Sequence, residues 1–583
     1  MNSLREVSML RFPTLAAALT AVLISGGCNL DVQNPNAPDA NRAFGDPAGL
    51  QQLLGGAFRT WVEARDGYYV MPLTTMADNY TASWNNAAIR FYSSVGADCA
   101  SRCGWTNSPT ASDAGLAVEA QWYGYYTAWF AATHVLQAMQ DSICFDEDCV
   151  APTYHRATPG SDSTITVRNR AIAQMLQGMA FAGIAMTYDS GFVMDENTVL
   201  PAAPADYPPF NNRTEMRDAA LQKFAAAYTT AGITAWETEP EWMGVDGGTA
   251  YTSVQIQQVI RTMQAEVIAQ WPRNGVENAA ADWAAVATYA SAGVSAGADP
   301  FDWEFNIDIS ARDAGIEYVK SWGNSILTMR VDTRVAAMIT TNHVNPWPAG
   351  GNPCPTTSPD LRVGDGTYGT ADNDDYGTKA DTGFAGTDYA CSGIAIFPAA
   401  RGQYHQSNLQ HVRYHQLGGI GEALPNDNGT GSDPFYTTQM NDLYWAEGLL
   451  RRAAPDLATA ATLINNSRVG RGGLSTLTAA SGAPALLAAL QYEQEIEFMG
   501  QGATAFFNRR RVDGLILGTP RQMPVPAKEL NVLLRASYTF GGNKPDMVAA
   551  ANGGAGIRQT TVADRWREVQ NSTPKRRFMA GRF

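Results

Sequence analysis

Apolar residues recur at helical spacing along most of this chain, and no comparable series of alternating, strand-like segments interrupts them. Asp46-Pro47 is a strong helix start: an N-cap acid precedes proline at the first helical position, where its missing N–H costs nothing. Leu50, Leu53, Leu54, Ala57, Phe58 and Trp61 then line one face, and Trp122, Tyr125, Trp129, Thr133 and Leu136 repeat the pattern. Period and Gly/Pro punctuation predict further helices over about 168–188, 214–236, 252–271, 278–297, 436–453, 456–468 and 484–500. Consecutive helices of this kind bury their faces on one another, so the expected fold class is mainly α, a tetratricopeptide-like helical-repeat scaffold lacking the strict consensus of about 34 residues. The scaffold is expected over about 45–297 and 434–511. Two stretches, about 67–115 and 298–433, change texture to Gly, Pro, Asn, Asp, Thr and aromatics, as expected of loop-rich insertions that carry function.

The run Leu15–Cys28, LAAALTAVLISGGC, follows Arg5 and Arg11 and ends in small residues before a cysteine. Its apolar part is shorter than the roughly 20 residues a membrane-spanning helix needs. It reads as a cleaved lipoprotein signal over residues 1–27, with Cys28 as the acylated mature N-terminus of a domain over 28–583. More than one buried acyl chain makes such an anchor stable. Met9 would serve as the start as well as Met1, and an ordinary secreted protein with Cys28 in a disulfide is the alternative.

The chain carries 41 basic against 56 acidic residues, and removing residues 1–27 leaves the balance one charge more negative. A phosphate backbone needs a basic surface, so nucleic acid is excluded as a partner; Arg509–Arg511 and Lys575–Arg577 are too short and isolated to supply one. Charged residues make up only 17%, against roughly 25% in an average domain, which suits neutral, hydroxyl-rich ligands. The six remaining cysteines fall into near neighbours, Cys99/Cys103, Cys144/Cys149 and Cys354/Cys391, read as three disulfides of an oxidising compartment. A zinc site is the alternative, disfavoured in an exported chain.

Several segments resemble the SusD/RagB family. The run Cys28–Ala57, CNLDVQNPNAPDANRAFGDPAGLQQLLGGA, is similar to the family's segment after the lipidated cysteine, with an Asn-Pro-Asn turn and a first helix opening at Asp-Pro. Ala446-Glu447 leads into INNSRVGRGGL (Ile464–Leu474), then EQEIEFMGQGATAFFNRRR (Glu493–Arg511) and MPVPAKEL (Met523–Leu530), in the family's order and spacing. Gln494 stands where that pattern has Arg, and Gln501 and Thr504 where it has Glu and Arg. The resemblance implies a surface-exposed, lipid-anchored protein of the bacterial outer membrane. Its helical-repeat half would dock on a SusC-like TonB-dependent transporter, and its loop-rich half would hold a nutrient, most plausibly an oligosaccharide. It implies no cofactor and no catalysis.

Sugar recognition uses aromatic faces for the apolar side of a ring and amide or carboxylate groups for its hydroxyls. The segment Asp78–Tyr92, DNYTASWNNAAIRFY, has that mixture, so Trp84, Asn79, Asn85, Asn86 and Arg90 are candidate ligand-binding residues, with Trp105 beside them and Trp303, Trp347 and Tyr376 weaker. The alternative is that Trp84 packs into the core and the asparagines serve turns. Gly293–Gly297 matches G-x-S-x-G in letters only, because Ser295 ends a helical stretch instead of following a strand. His405, His411 and His415 lie in a segment that is not amphipathic and are not read as a metal cluster; Asp372, Asp374 and Asp375 begin like a calcium loop, but Gly383 stands where the closing Glu belongs, so a calcium site stays an open and unsupported alternative to no metal. The rival reading, a secreted glycoside hydrolase on an all-helical scaffold, needs a placed carboxylate pair; Glu493 and Glu497, four apart, read as structural.

The signal reading predicts that fatty-acid label follows Cys28. Cys28→Ala protein should lose the label and leave the membrane fraction; retention of both would place the anchor elsewhere.

Overall fold

The structure, a computed structural model, describes residues 46–81, 85–95, 98–99, 101–110, 112–140, 143–145, 163–199, 201, 203, 206–244, 248–308, 313, 315–324, 329–340, 358–363, 388–391, 406–407, 409–417 and 429–542. Its longer helices are α1 (Pro47–Asp66), α2 (Asp113–Gln140), α3 (Thr164–Thr187), α4 (Arg213–Ala231), α5 (Ser253–Gln270), α6 (Trp283–Ala290), α8 (Thr438–Arg451), α9 (Leu457–Arg468), α10 (Ala483–Glu497) and α11 (Thr504–Arg511), with a short α7 at Val319–Gly323. Among the described residues the strands form four antiparallel pairs: β1 (Tyr80–Thr81) with β5 (Arg330–Val331), β2 (Ser190–Gly191) with β3 (Asn211–Asn212), β4 (Trp303–Asp308) with β8 (Thr430–Tyr436), and β6 (Tyr389–Cys391) with β7 (Leu409–His411). The fold is mainly α, as the periodicity predicts.

Local capping sets the helix starts. Asp46 accepts the Ala48 amide at 3.2 Å with Pro47 behind it, and Asn212 and Thr252 open α4 and α5 with full capping boxes. Successive helices then pack in order, α1 on α2, α2 on α3, α3 on α4, α4 on α5, and α5 through α6 to α8 and α9. The single helix expected over 278–297 is two: a turn at Gly275–Ala279 ends before Asp282, which caps a new helix by accepting the Ala285 amide at 2.9 Å. That helix stops at Ala290, and at Gly293 an added Cβ would lie 2.1 Å from Asn441 Oδ1. Ser295 is a structural hydroxyl in this corner, accepting from Asn441 Nδ2 at 2.7 Å.

The family-like C-terminal segments are buried ion networks. Arg511 grips Glu447 with two bonds of 2.7 Å, and Gln494 adds its amide to Glu447 at 2.8 Å while accepting from Arg511 at 3.2 Å. Glu493 and Glu497, both fully buried, are neutralised by Arg362 at 2.7 and 3.3 Å; Arg413 and Arg471 also pair with Glu497. This pair is the internal brace of the fold and has no cleft in which to do acid–base work. Of the expected disulfides, Cys99–Cys103 is formed. Cys144 is disulfide-bonded, while its expected partner Cys149, together with Cys354 and Cys28, lies outside the described residues.

Burial alone would raise the Glu447 carboxyl, but the Arg511 charge and hydrogen bonds outweigh it and hold it down to about 2. Its folded value lies below its unfolded one, so its stabilisation is present above the unfolded carboxylate range and is lost as pH falls toward about 2. Glu447→Ala should strand the buried Arg511 guanidinium, cost about 3–5 kcal/mol in urea unfolding, and flatten the acid limb of the stability curve.

Candidate ligand-binding site

Four aromatic rings from the two loop-rich stretches meet at the end of α1. Gly67 ends that helix in extended backbone; a Cβ there would lie 2.3 Å from Glu63 O, so only glycine lets the chain turn so tightly. The 3₁₀ turn Tyr68–Val70 that follows buries Val70 and leaves Tyr68 and Tyr69 half-buried. Far along the chain, the Tyr318 amide donates to Asp66 O at 2.8 Å, which brings α7 alongside. Tyr318 and Trp322, four residues apart, thus share one face, both half-buried.

The rings pack edge to face. Tyr68 lies 5.0 Å from Tyr69, 5.1 Å from Tyr318 and 5.5 Å from Trp322, and Tyr318 lies 5.5 Å from Trp322. Such contacts stiffen a cluster by about 0.5–1.5 kcal/mol per pair beyond area burial. Polar groups sit at its edge: the Ala87 backbone near Tyr68 and the exposed Asp113 carboxylate near Tyr69. Burial first, and then Asp113, push both phenols above the usual tyrosine range, so both stay neutral donors and acceptors.

The Asn85–Ala88 turn borders the cluster. Ala87 and Ala88 are consecutive left-handed residues, φ 52° and 59°, a conformation that costs a non-glycine residue about 1–3 kcal/mol and persists only where surroundings impose it. Their methyls are buried, and Asn85 Oδ1 accepts the Phe91 amide at 2.8 Å.

The structure divides the residues singled out from sequence. Asn85 and Asn86 are exposed on this rim. Arg90 is half-buried and paired with Asp98 at 3.7 Å. Asn79 and Trp105 belong to the core: Asn79 is fully buried against Glu495 O, and Trp105, 3% exposed, donates to Gln522 O at 2.8 Å with its ring 4.6 Å from Tyr92. Trp303 is also core, among Phe58, Trp61, Phe305 and Phe435. Trp84, Trp347, Tyr376, His405 and the run 372–383 lie outside the described residues. Tyr68, Tyr69, Tyr318 and Trp322 were not distinguished by sequence; the one signal was the texture of the stretches they fall in. His411 is buried with its Nδ1 2.7 Å from the Tyr80 hydroxyl, and burial followed by Arg413 pushes it well below the usual histidine range. No group of three or more potential metal ligands occurs among the described residues.

No protein-family model matches the chain, and no curated protein matches it in sequence. Solved structures do match. A SusD superfamily protein from Parabacteroides distasonis superposes with a TM-score of 0.53 at 10% identity, over 84% of this chain and 97% of the other. A SusD homolog from Bacteroides thetaiotaomicron gives 0.52 at 14%, over 86% and 97%, and a SusD superfamily protein from Bacteroides vulgatus 0.51 at 12%, over 84% and 97%. The chain has the SusD fold. At these identities the likeness is one of backbone, and the residues on the SusD-like scaffold are this chain's own.

Tyr68→Phe keeps the ring and removes the hydroxyl near the Ala87 backbone. Amide exchange over Asn85–Ile89 should quicken by a factor equivalent to about 1 kcal/mol, with the ring cluster and global stability little changed.

Proposed function

We propose that this protein is a non-catalytic binding lipoprotein that captures a neutral oligosaccharide at the Tyr68–Tyr69–Tyr318–Trp322 cluster and hands it to a SusC-like TonB-dependent transporter. The observation that carries the reading is that four half-buried rings, edged by Asp113 and the exposed Asn85 and Asn86, sit together where the two loop-rich stretches meet. Rings offer the apolar face of a pyranose a surface, and the amides and carboxylate suit its hydroxyls. Trp84, next to Asn85 in sequence, is a further candidate for the same ligand. The acidic, charge-poor composition accords with an uncharged ligand.

Anchoring through acylated Cys28 in the outer membrane belongs to the same reading. No helix among the described residues is long and apolar enough to cross a membrane. The hydrolase reading finds no support in Glu493 and Glu497, whose carboxylates are spent on arginines in the interior.

Calorimetry with neutral oligosaccharides should show Tyr68→Ala, Trp322→Ala and Trp84→Ala each losing about 1–3 kcal/mol of affinity, the scale of a buried large side chain, with the fold intact. Unchanged affinities would retire the cluster as the platform, and multiple turnovers of a bound glycan would favour the hydrolase.

A further inference from the structure

A cavity of about 30 Å³ lies inside the scaffold where α1, α2, α3, α5 and α11 meet. Its wall is largely apolar, with Met179, Met263 and Phe507 among the buried side chains that form it. Four polar side chains interrupt that wall without satisfying one another. Tyr125 and Thr504 are only 6% and 3% exposed, and neither hydroxyl has a hydrogen-bond partner among the described residues. Arg65 and Glu266, also buried, stand 3.9 Å apart between Nη2 and Oε1, too far for a hydrogen bond.

The rest of this ion pair is already engaged. Glu266 Oε2 accepts the Tyr436 hydroxyl, and Arg65 Nη2 donates to Phe435 O at 3.2 Å. Glu266 Oε1 keeps only a long contact of 3.5 Å from the Tyr444 hydroxyl. A buried hydroxyl gives up its bonds to solvent and must regain them from a neighbour, and a charged contact stretched past 3.5 Å is closed by a group between its ends. Volume decides what that group is. A water needs about 10–15 Å³ of such space, so the cavity takes one or two waters and nothing larger.

We propose that this cavity is an internal hydration site, in which one or two waters bridge Arg65 to Glu266 and pair with the hydroxyls of Tyr125 and Thr504. Such a site supplies the two to four polar partners that a buried water keeps. Arg65 Nε also lies 3.6 Å from Asp66 Oδ2, so the bridge joins Glu266 on α5 to the charges at the end of α1.

Water-to-methyl cross-relaxation in the mature protein, labelled at its methionine methyl groups, tests this. Met179 and Met263 line the cavity and should each receive magnetisation from a long-lived water. A crystal structure at high resolution should place one or two ordered waters within hydrogen-bond reach of Tyr125 and Thr504. Tyr125→Phe keeps the ring and removes one partner, so the residence time of that water, read by magnetic relaxation dispersion, should shorten about fivefold, the factor one hydrogen bond supplies. Thr504→Val keeps the side-chain volume and should shorten it similarly, and the double substitution further. Both wild-type measurements stand even where a variant fails to fold. Silence at both methyls with xenon entering the wild-type cavity under pressure would reveal a dry apolar void and overturn the proposal, as would a residence time that neither substitution changes.

Discussion

A single buried ammonium ties the scaffold to the aromatic cluster at the end of α1. Lys320 is fully buried, its Nζ 2.7 Å from Asp433 on β8 and 3.5 Å from Asp66 at the end of α1. Burying an unpaired charge costs several kcal/mol, so these three segments must converge for the lysine to be tolerated at all. Burial alone would lower its pKa; Asp433 and then Asp66 reverse that and keep it charged. Glu317 caps the turn from beneath, accepting the Lys320 amide at 2.6 Å and the Ser321 amide at 2.9 Å. Tyr318 and Trp322 flank this lysine, so the ion pairs that fix Lys320 also set where their rings stand relative to Tyr68 and Tyr69.

The C-terminal helices are held by the same economy of charge, turned inward. Glu447, Glu493 and Glu497 are gripped by Arg511, Arg362, Arg413 and Arg471. Two other arginines serve helix ends instead of acids. Arg273 donates to Ala185 O and Met186 O at the end of α3, and Arg510 to Met186 O and Gln270 O, where carbonyls have no intrahelical partner and the helix dipole is negative. The run Arg509–Arg511, which looks in sequence like a small basic patch, is therefore interior.

Much of the scaffold was legible because its signals are local. Asp46-Pro47, the capping boxes and the apolar period each act within one or two turns, and they locate most helices to within a few residues of where they lie. The close packing after the helix stops at Ala290 was not legible: there Gly293 meets Asn441, more than a hundred residues on. The departure at Gln494 acquires its meaning in the same way, since a neutral amide completes the bonding of Glu447 and Arg511 without adding another buried charge.

What the sequence by itself determined is the mainly helical scaffold and the short apolar run before Cys28, because these follow from residue type and short-range spacing. Only the tertiary structure decided which aromatics are core and which gather in the half-buried cluster. Tyr68 and Tyr80, or Trp105 and Trp322, are alike as letters in loop-rich text, yet Tyr80 and Trp105 are core while Tyr68 and Trp322 stand half-buried. The difference is set by partners some 200 to 400 residues away, by Gln522 O for Trp105 and by the Asp66–Lys320–Asp433 contacts for Tyr68 and Trp322, and burial imposed at that range leaves no trace in local pattern.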